Sequence, residues 1–482
     1  MPAPTLVWFR HDLRLADHPA LYRAVERGGP VVPVFIWAPE EDGEWAPGGA
    51  HRWWLHCSLT KLSQRLSRNA SCLVRRSGPS LDALRDLIAA TGADAVYWNA
   101  RYEPVLHERD DEIAEALRGD GITVKTFASR ILHDPTAVRT TTDGPYHVYT
   151  PFRNKFEETV EVGDPLDVPR MGEHIAPESW PESEDLESFR LLPQDEDGVN
   201  WAKEMGAFWT PGERAAHAAL HRFLNEALID YAESRNRPDQ NGTSRFSPYL
   251  HHGELSPRQV WHRVNNWVRN GSMREAANAF LSEIIWREFS YHILYHYPTL
   301  PAEPLKDKFD GFDWRMDEDA LRRWQRGQTG YPIVDAGMRQ LWSIGWMHNR
   351  VRMIAGSFLT KDLMIPWQEG ERWFWDTLVD ADLASNAMNW QWVAGSGPDA
   401  QPFFRVFNPV SQGEKHDPDG AYVRRWVPEL KDLPTKYLHS PWTAPAEILA
   451  EAGVVLGETY PEPIVDHSEA RDRALEASAE IK

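Results

Sequence analysis

"TLVWFRHDLRLADHPALYRAVERGGPVVPVFIW" runs from Thr5 to Trp37 and reads as strand, helix, strand. "TLVWF" and "PVVPVFIW" are nearly continuous apolar runs, the pattern of strands covered on both faces. "HPALYRAVERGG" lies between them, with apolar spacing near 3.6 and a closing glycine pair. The alternation continues. "SCLVRRS", "DAVYWNA" and "ITVKTF" repeat the strand pattern, and "HRWWLHCSLTKLSQRLSR", "SLDALRDLIAATG" and "ERDDEIAEALRGDG" repeat the helical one. Five such strands joined by helices predict a five-stranded parallel sheet, doubly wound with helices on both faces. No GxGxxG or GxxxxGK[ST] follows the first strand, so the usual phosphate loops are absent.

The pattern changes past residue 135. We expect an α/β domain over 1–135, an acidic linker over 136–210 and a helical domain over 211–482. The helical stretches include "GERAAHAALHRFLNEALIDYAESR", "SPRQVWHRVNNWVRN", "MREAANAFLSEIIWREFSYHILYH" and "IVDAGMRQLWSIGWMHNRVRMIAGSFLTKDL". A chain of 482 residues is long enough for on the order of two to four domains. The net charge of -20 argues against a nucleic-acid partner at first sight. Its distribution softens that. Glu157 to Asp197 holds fourteen acids against two bases, and Glu462 to Lys482 six against three. A basic groove elsewhere is compatible with this balance. Two cysteines build no disulfide framework and no CxxC metal spacing, and no apolar run reaches the roughly 18 residues of a membrane span. A cytoplasmic protein without a structural metal is expected.

Chemistry concentrates in four stretches. "DADLASNAMNWQWVAGSGPDAQPFFRVFNP" (Asp380 to Pro409) mixes carboxylates, amides and indoles, which suits the wall of a pocket for something flat and polar at its edges. "NGTSRFS" (Asn241 to Ser247) is either a phosphate loop or a turn with an N-cap serine. "SEIIWREFSYH" sets Glu283, Trp286 and Arg287 on one helix face, and "GWMHNRVRMI" does the same for Asn349, Arg352 and Met353, with Trp346 on the adjoining turn. Each stretch alone has an ordinary structural explanation. Four in one domain do not.

Together these stretches resemble the photolyase/cryptochrome family. "LVWFRHDLRLADHPAL" is similar to its opening strand and loop, and "GTSRFS", "WREF", "GYPIVDAGMRQL", "GWMHNRVRM", "DADLASN", "NWQW" and "FNPVSQGEKHD" to its C-terminal signatures in order. The resemblance implies FAD in the helical domain. By motif, Tyr231, Thr243, Ser244, Arg245, Phe246 and Ser247 would hold the phosphates and sugar. Glu283, Arg287, Trp346, Asn349, Arg352, Asp380, Asp382 and Asn386 would surround the rings, with Asn386 facing flavin N5. Trp390, Trp367 and Trp314 match the family's electron-hopping tryptophans; Trp342, Trp373 and Trp375 lie nearby as core or as a branch. His348 reads as a packing or hydrogen-bonding residue.

The substrate pocket separates members. Glu283, Trp286, Asn349, Met353 and Trp392 match the residues that hold a cyclobutane pyrimidine dimer, and Arg235, Arg350, Arg405 and Lys415 would take flanking phosphates. The resemblance therefore implies a deoxyribodipyrimidine photo-lyase acting as a monomer on DNA, most similar to class III. A cryptochrome receptor without repair and a (6-4) photolyase are the alternatives; a nucleotide-handling α/β enzyme explains only the first domain. "VYTPFRNKFEE" resembles the segment that gives a glutamate to methenyltetrahydrofolate, so Glu157 and Trp37 are the expected antenna contacts.

Overall fold

The computed structural model describes residues 2–172, 175–192, 202–399 and 404–481. They form two compact units, each assembled from separate stretches of chain. The first comprises Met1–Ile229, Ser244–Pro298 and Val379–Ala384; the second comprises Asp230–Thr243, Thr299–Leu378 and Ser385–Lys482.

The first unit is built on the expected sheet. Strands β1 (Thr5–Phe9), β2 (Val31–Trp37), β3 (Val74–Ser77), β4 (Ala95–Asn99) and β5 (Thr123–Phe127) run in the order β3-β2-β1-β4-β5. Every neighbouring pair is parallel. Helices α1 (Pro19–Glu26), α2 (Gly49–Ser67), α3 (Ser80–Thr91) and α4 (Pro104–Gly119) make the crossovers. Side chains of β1 alternate between two buried layers. Val7 and Phe9 join Leu21, Leu59 and Leu62 on one face. Leu6 and Trp8 join Leu84, Leu87, Trp98 and Leu117 on the other. Burial on both faces explains why β1, β2 and β4 lack polar alternation, while the edge strands β3 and β5 are only partly covered.

Strand order reverses at β1, which lies between β2 and β4. Such a switch point opens a crevice at the carboxyl ends of the strands. Here that end carries a polar knot. Asp12 accepts from the Arg10 backbone N–H at 2.7 Å and from Asn99 Nδ2 at 2.7 Å. Arg10 reaches Asp110 at 2.7 Å.

The stretch expected to be a linker is more structured than its composition suggests. A helix, α5 (Tyr149–Thr159), buries Phe152 and Phe156. Further on, Ile175, Leu186, Phe189 and Leu191 enter the core beside β1 and β2. The Glu184 carboxylate accepts from Ser77 N and Oγ, each at 2.8 Å, along the edge strand β3. A few apolar anchors and edge-strand bonds thus hold an acid-rich segment down. Part of the acidic run, residues 173–174 and 193–201, lies outside the described residues.

The long helical stretch 333–363 in the second unit is broken. One helix covers Pro332–Ile344 and stops at Gly345, whose φ of 65° supplies a left-handed cap. The next, Asn349–Ser357, starts at His348, whose ring accepts from Arg350 N. A single turn of π-helix follows over Phe358–Asp362. The break sets Trp346 and Met347 in a buried link and gives His348 its capping role.

Gly253 is irreplaceable on backbone grounds. Its φ is +67°, and a Cβ there would overlap the His11 carbonyl oxygen and Asp12 Cα. Gly253→Ala should cost about 1–3 kcal/mol, read as a lowered melting temperature, whereas alanine at exposed Gly119, which meets no neighbour, should leave the midpoint nearly unchanged.

Candidate functional site

In the first unit, segments far apart in sequence converge on one buried carboxylate. Asp382 accepts from Tyr291 Oη and from Arg130 Nη2, the latter at 3.0 Å. Arg130 also donates to Tyr291 Oη and, at 2.8 Å, to the His251 carbonyl, and lies 3.6 Å from Glu103. Arg101 closes the array with a two-pronged contact to Glu103 at 2.9 and 3.0 Å. Burial alone would push the Asp382 carboxyl up. The hydrogen bond from His251 and the charges of Arg130 and Arg287 instead hold it well below the usual carboxylate range. Asp382 is therefore an anion at neutral pH, and Arg130 a paired cation.

Helix Gly271–His296 carries Glu283, Trp286 and Arg287 in partly buried positions. Arg287 donates to the Arg130 carbonyl at 2.8 Å and lies 4.9 Å from the Tyr291 ring centre. Its other terminal nitrogen, Nη2, is buried with no partner among the described residues. Trp286 lies flat on Tyr149, with ring centres 3.6 Å apart and planes 9° apart. Phe289 meets both rings edge-on. Tyr149 Oη donates to the Ser282 carbonyl at 2.7 Å, which anchors the stack to the helix. Sequence reasoning missed Tyr149 and Arg130. Both lie outside the helical signatures, and only the fold brings them to that helix.

The loop "GTSRFS" places its side chains differently from one another. Phe246 is buried against Phe223 and Phe280, so its ring anchors the loop in the core. Arg245 adopts a positive φ of 54° and its guanidinium lies 5.1 Å from the Phe208 ring centre. Ser244 and Arg245 are partly buried, and Ser247 is exposed. The helix that follows has no side-chain cap, which removes the N-cap explanation for this turn. Asp380 is buried.

The second unit holds Tyr231, Thr243, Trp346, Asn349, Arg352, Met353 and Asn386. Tyr231, Trp346 and Asn386 are buried; Thr243, Arg352 and Met353 are partly so, and Asn349 is exposed. Asn386 Nδ2 donates to the Glu371 carbonyl at 3.0 Å, which fixes the plane of the amide. Burial pushes the Glu371 carboxyl well above its ordinary range. Arg352 is steadied by donation to the Met347 carbonyl at 2.8 Å.

Helix Leu383–Ala394 carries the two tryptophans of "NWQW". Two residues of helix rotate a side chain by about 200°. Trp390 accordingly points into the core and Trp392 is half-exposed. Trp390 packs against Phe374 at 4.9 Å and Trp324 at 6.2 Å between ring centres. Gly370 is the floor beneath it, since a Cβ there would overlap the indole. Trp367 is fully buried, and Trp314 is half-buried against Phe312. Trp342 is not a core residue. It is 59% exposed and stacked on Trp373 with planes 4° apart.

One cleft of the second unit gathers cations, with Glu233 also on its wall and Arg237 paired with Asp239. Arg350, Arg405, Lys415 and Arg237 line an open cleft with Asn236 and His416. Arg350 donates to Asn236 Oδ1 at 2.6 Å. Burial, then the charges of Arg235 and Arg405, lower the Arg350 pKa; burial, then Arg350 and Lys415, lower His416 to about 4. Cations held this close together favour an anion between them. The structure thus collects Arg235, Arg350, Arg405 and Lys415, despite the acidic balance of the chain.

The antenna residues are separately placed. Trp37 ends β2 and packs on the sheet core, and Glu157 pairs with Arg153 at 2.8 Å on the exposed side of α5.

Comparison with known proteins decides the family. A family model for DNA photolyase matches residues 5–170, and one for the FAD binding domain of DNA photolyase matches residues 280–480. The chain is 52% identical to a deoxyribodipyrimidine photo-lyase of Agrobacterium fabrum, over 100% of this chain and 98% of that one. This chain belongs to the DNA photolyase family. It is 39% identical to cryptochrome-1 of Arabidopsis thaliana, across 99% of this chain and 70% of the plant protein. The solved structure of a bacterial class III photolyase from Agrobacterium tumefaciens superposes with a TM-score of 0.94 at 51% identity, covering 100% of this chain and 98% of that one.

The residues of this photolyase-family chain fit the FAD that its matched domain binds. In the first unit Arg287 has a buried donor with no partner among the described residues and Asp382 is a buried anion; in the second Asn386 is a neutral amide locked in plane. Such groups suit the polar edge of a flavin. No helix among the described residues is long and apolar enough to cross a membrane.

Asp382 sets the acid stability. Its folded pKa lies below the unfolded value near 3.9, so its stabilisation is present above that pH and lost as pH falls through the folded value. Asp382→Ala should destabilise by about 3–5 kcal/mol at pH 7, because Arg130 loses its partner, and the gap to wild type should narrow as pH drops below about 4 in urea titrations.

Proposed function

We propose that this chain is a class III-type photolyase that repairs cyclobutane pyrimidine dimers in DNA under light, as a monomer in the cytoplasm. The basic cleft carries the reading. A protein of net charge -20 gains nothing from crowding Arg235, Arg350, Arg405 and Lys415 unless the partner is a polyanion. Its full-length likeness to the Agrobacterium enzyme supports the same choice over a receptor.

The division of labour follows from the residue chemistry. The 1–135 domain would hold an antenna, methenyltetrahydrofolate, with Glu157 and Trp37 as contacts. The 136–210 segment would connect it to the 211–482 domain, which would hold FAD and the lesion. Arg245, Ser244, Ser247 and Thr243 would take the FAD phosphates and sugar. Glu283, Arg287, Trp346, Asn349, Arg352, Asp380, Asp382 and Asn386 would contact its rings. The chemistry that bound, fully reduced FAD supplies is light-driven donation of one electron, which returns after the cyclobutane ring opens. Trp286 and Trp392 would offer flat apolar faces to a flipped-out dimer, and Met353 an adaptable apolar contact. Glu283 and Asn349 would hydrogen-bond the base edges. Tyr149, behind Trp286, would keep that indole in one orientation before the lesion arrives. Trp390, Trp367 and Trp314 would pass electrons inward from solvent, and the exposed Trp342–Trp373 stack would give a second exit.

Binding to a dimer-containing oligonucleotide against its undamaged twin tests the assignments. Arg405→Ala should weaken both by a similar factor and lower the salt slope by about 1. Tyr149→Ala should weaken binding of the damaged strand selectively, with Tyr149→Phe close to wild type. Loss of both oligonucleotides alike in Tyr149→Ala would remove it from lesion recognition. Trp390→Phe should abolish photoreduction of oxidised flavin while a chemically reduced sample still repairs; unimpaired photoreduction would eliminate Trp390 from the route.

A further inference from the structure

The crevice at the strand-order reversal holds more histidine than the fold requires. His11 lies two residues beyond β1, His51 sits in the first turn of α2, and His251 and His252 precede the tight turn at Gly253. We propose that His11, His51 and His251 bind a divalent transition-metal ion of the zinc, cobalt or nickel kind.

Geometry carries the proposal. Each of the three residues offers a ring nitrogen, and these atoms all lie within 4.8 Å of one another. His51 Nδ1 and His251 Nε2 are 3.1 Å apart. Zinc–nitrogen bonds of about 2.0–2.1 Å in a tetrahedron put ligand atoms roughly 3.3 Å apart, so one edge is in place and His11 must close by up to about 1.5 Å. His51 and His251 are buried, and His11 is partly buried.

Hydrogen bonding points the same way. His11 Nδ1 is buried without a partner among the described residues. Unpartnered imidazole nitrogens are costly in a protein interior. His251 Nδ1 faces Asp382 Oδ2 at 3.8 Å. Arg130 Nη2, which can only donate, approaches the same nitrogen at 3.4 Å; on metal binding a proton shared with Asp382 would replace that contact and leave Nε2 as the inward-facing lone pair, the arrangement in which a carboxylate orients a ligating histidine.

Charge does not forbid a cation. Arg101 and Arg130 are close, but Glu103 and Asp382 balance them. Three imidazoles with no thiolate select borderline ions over calcium or magnesium, which prefer oxygen. The ion would tie the β1 end, α2 and the Gly253 turn together, apart from the residues assigned to lesion and flavin except through Asp382.

The test uses the full-length, FAD-loaded chain without a histidine tag, stripped with a chelator and titrated with cobalt(II). The expected result is one cobalt per chain after gel filtration, visible bands of low-coordinate cobalt, and a raised melting temperature. His11→Gln and His51→Gln should each weaken binding about tenfold or more, with retained FAD reporting that they fold. Should a variant lose FAD, X-ray absorption on the wild-type cobalt complex decides instead, with three imidazole ligands expected. No retained cobalt, binding indifferent to both substitutions, or a coordination shell dominated by oxygen would each overturn the site.

Discussion

The anionic Asp382 bound to Arg130 is the constraint around which the first unit is organised. A guanidinium inside a protein is tolerable only with its charge matched and its donors used. Arg130 meets this with Asp382, Tyr291, Glu103 and the His251 carbonyl. Those partners come from the end of β4, helix Gly271–His296, the segment before Gly253 and the short Val379–Ala384 stretch. One ion pair therefore registers four pieces of chain that share no sequence proximity. It also keeps a fixed negative charge on the residue that the family motifs assign to the flavin.

The aromatic residues follow a second logic. Twenty-three tryptophans are more than a core needs, and the structure gives them different tasks. Trp8, Trp54 and Trp98 are fully buried core residues. Trp286 is held flat by Tyr149, with the hydroxyl of that tyrosine pinned to helix backbone. Trp390 is clamped between Gly370 and Phe374. Rigid mounting matters in both cases. A stacking face that wandered would lose ordering entropy on every binding event, and an electron relay that wandered would vary its distances.

Much of this was legible in the sequence. The five strands appear where the sequence pattern placed them; double burial marks the central β1, β2 and β4 most clearly. Helix faces bearing Glu283, Trp286 and Arg287 follow from spacing alone. Other features were hidden for physical reasons. The acidic linker looked unstructured because four apolar anchors are few among many acids, yet they suffice when the segment also bonds an edge strand. The break at Gly345 was concealed by helical periodicity on both sides. Tyr149 and Arg130 act across more than a hundred residues, and no local pattern announces such a contact. Phe246 was grouped with its loop neighbours, but its ring belongs to the core. Trp342, expected as core or as a branch of the electron route, is a stacked surface residue.

The most direct measurement is repair itself. Fully reduced, FAD-loaded protein is mixed under anaerobic conditions with an oligothymidine containing cyclobutane dimers, and split thymines are quantified by chromatography after blue light and after an equal time in darkness. The account requires many dimers restored per protein molecule in light and none in the dark. Intact dimers after illumination, in a sample whose flavin is bound and reduced, would contradict it and leave the chain a light-sensing relative of the repair enzymes.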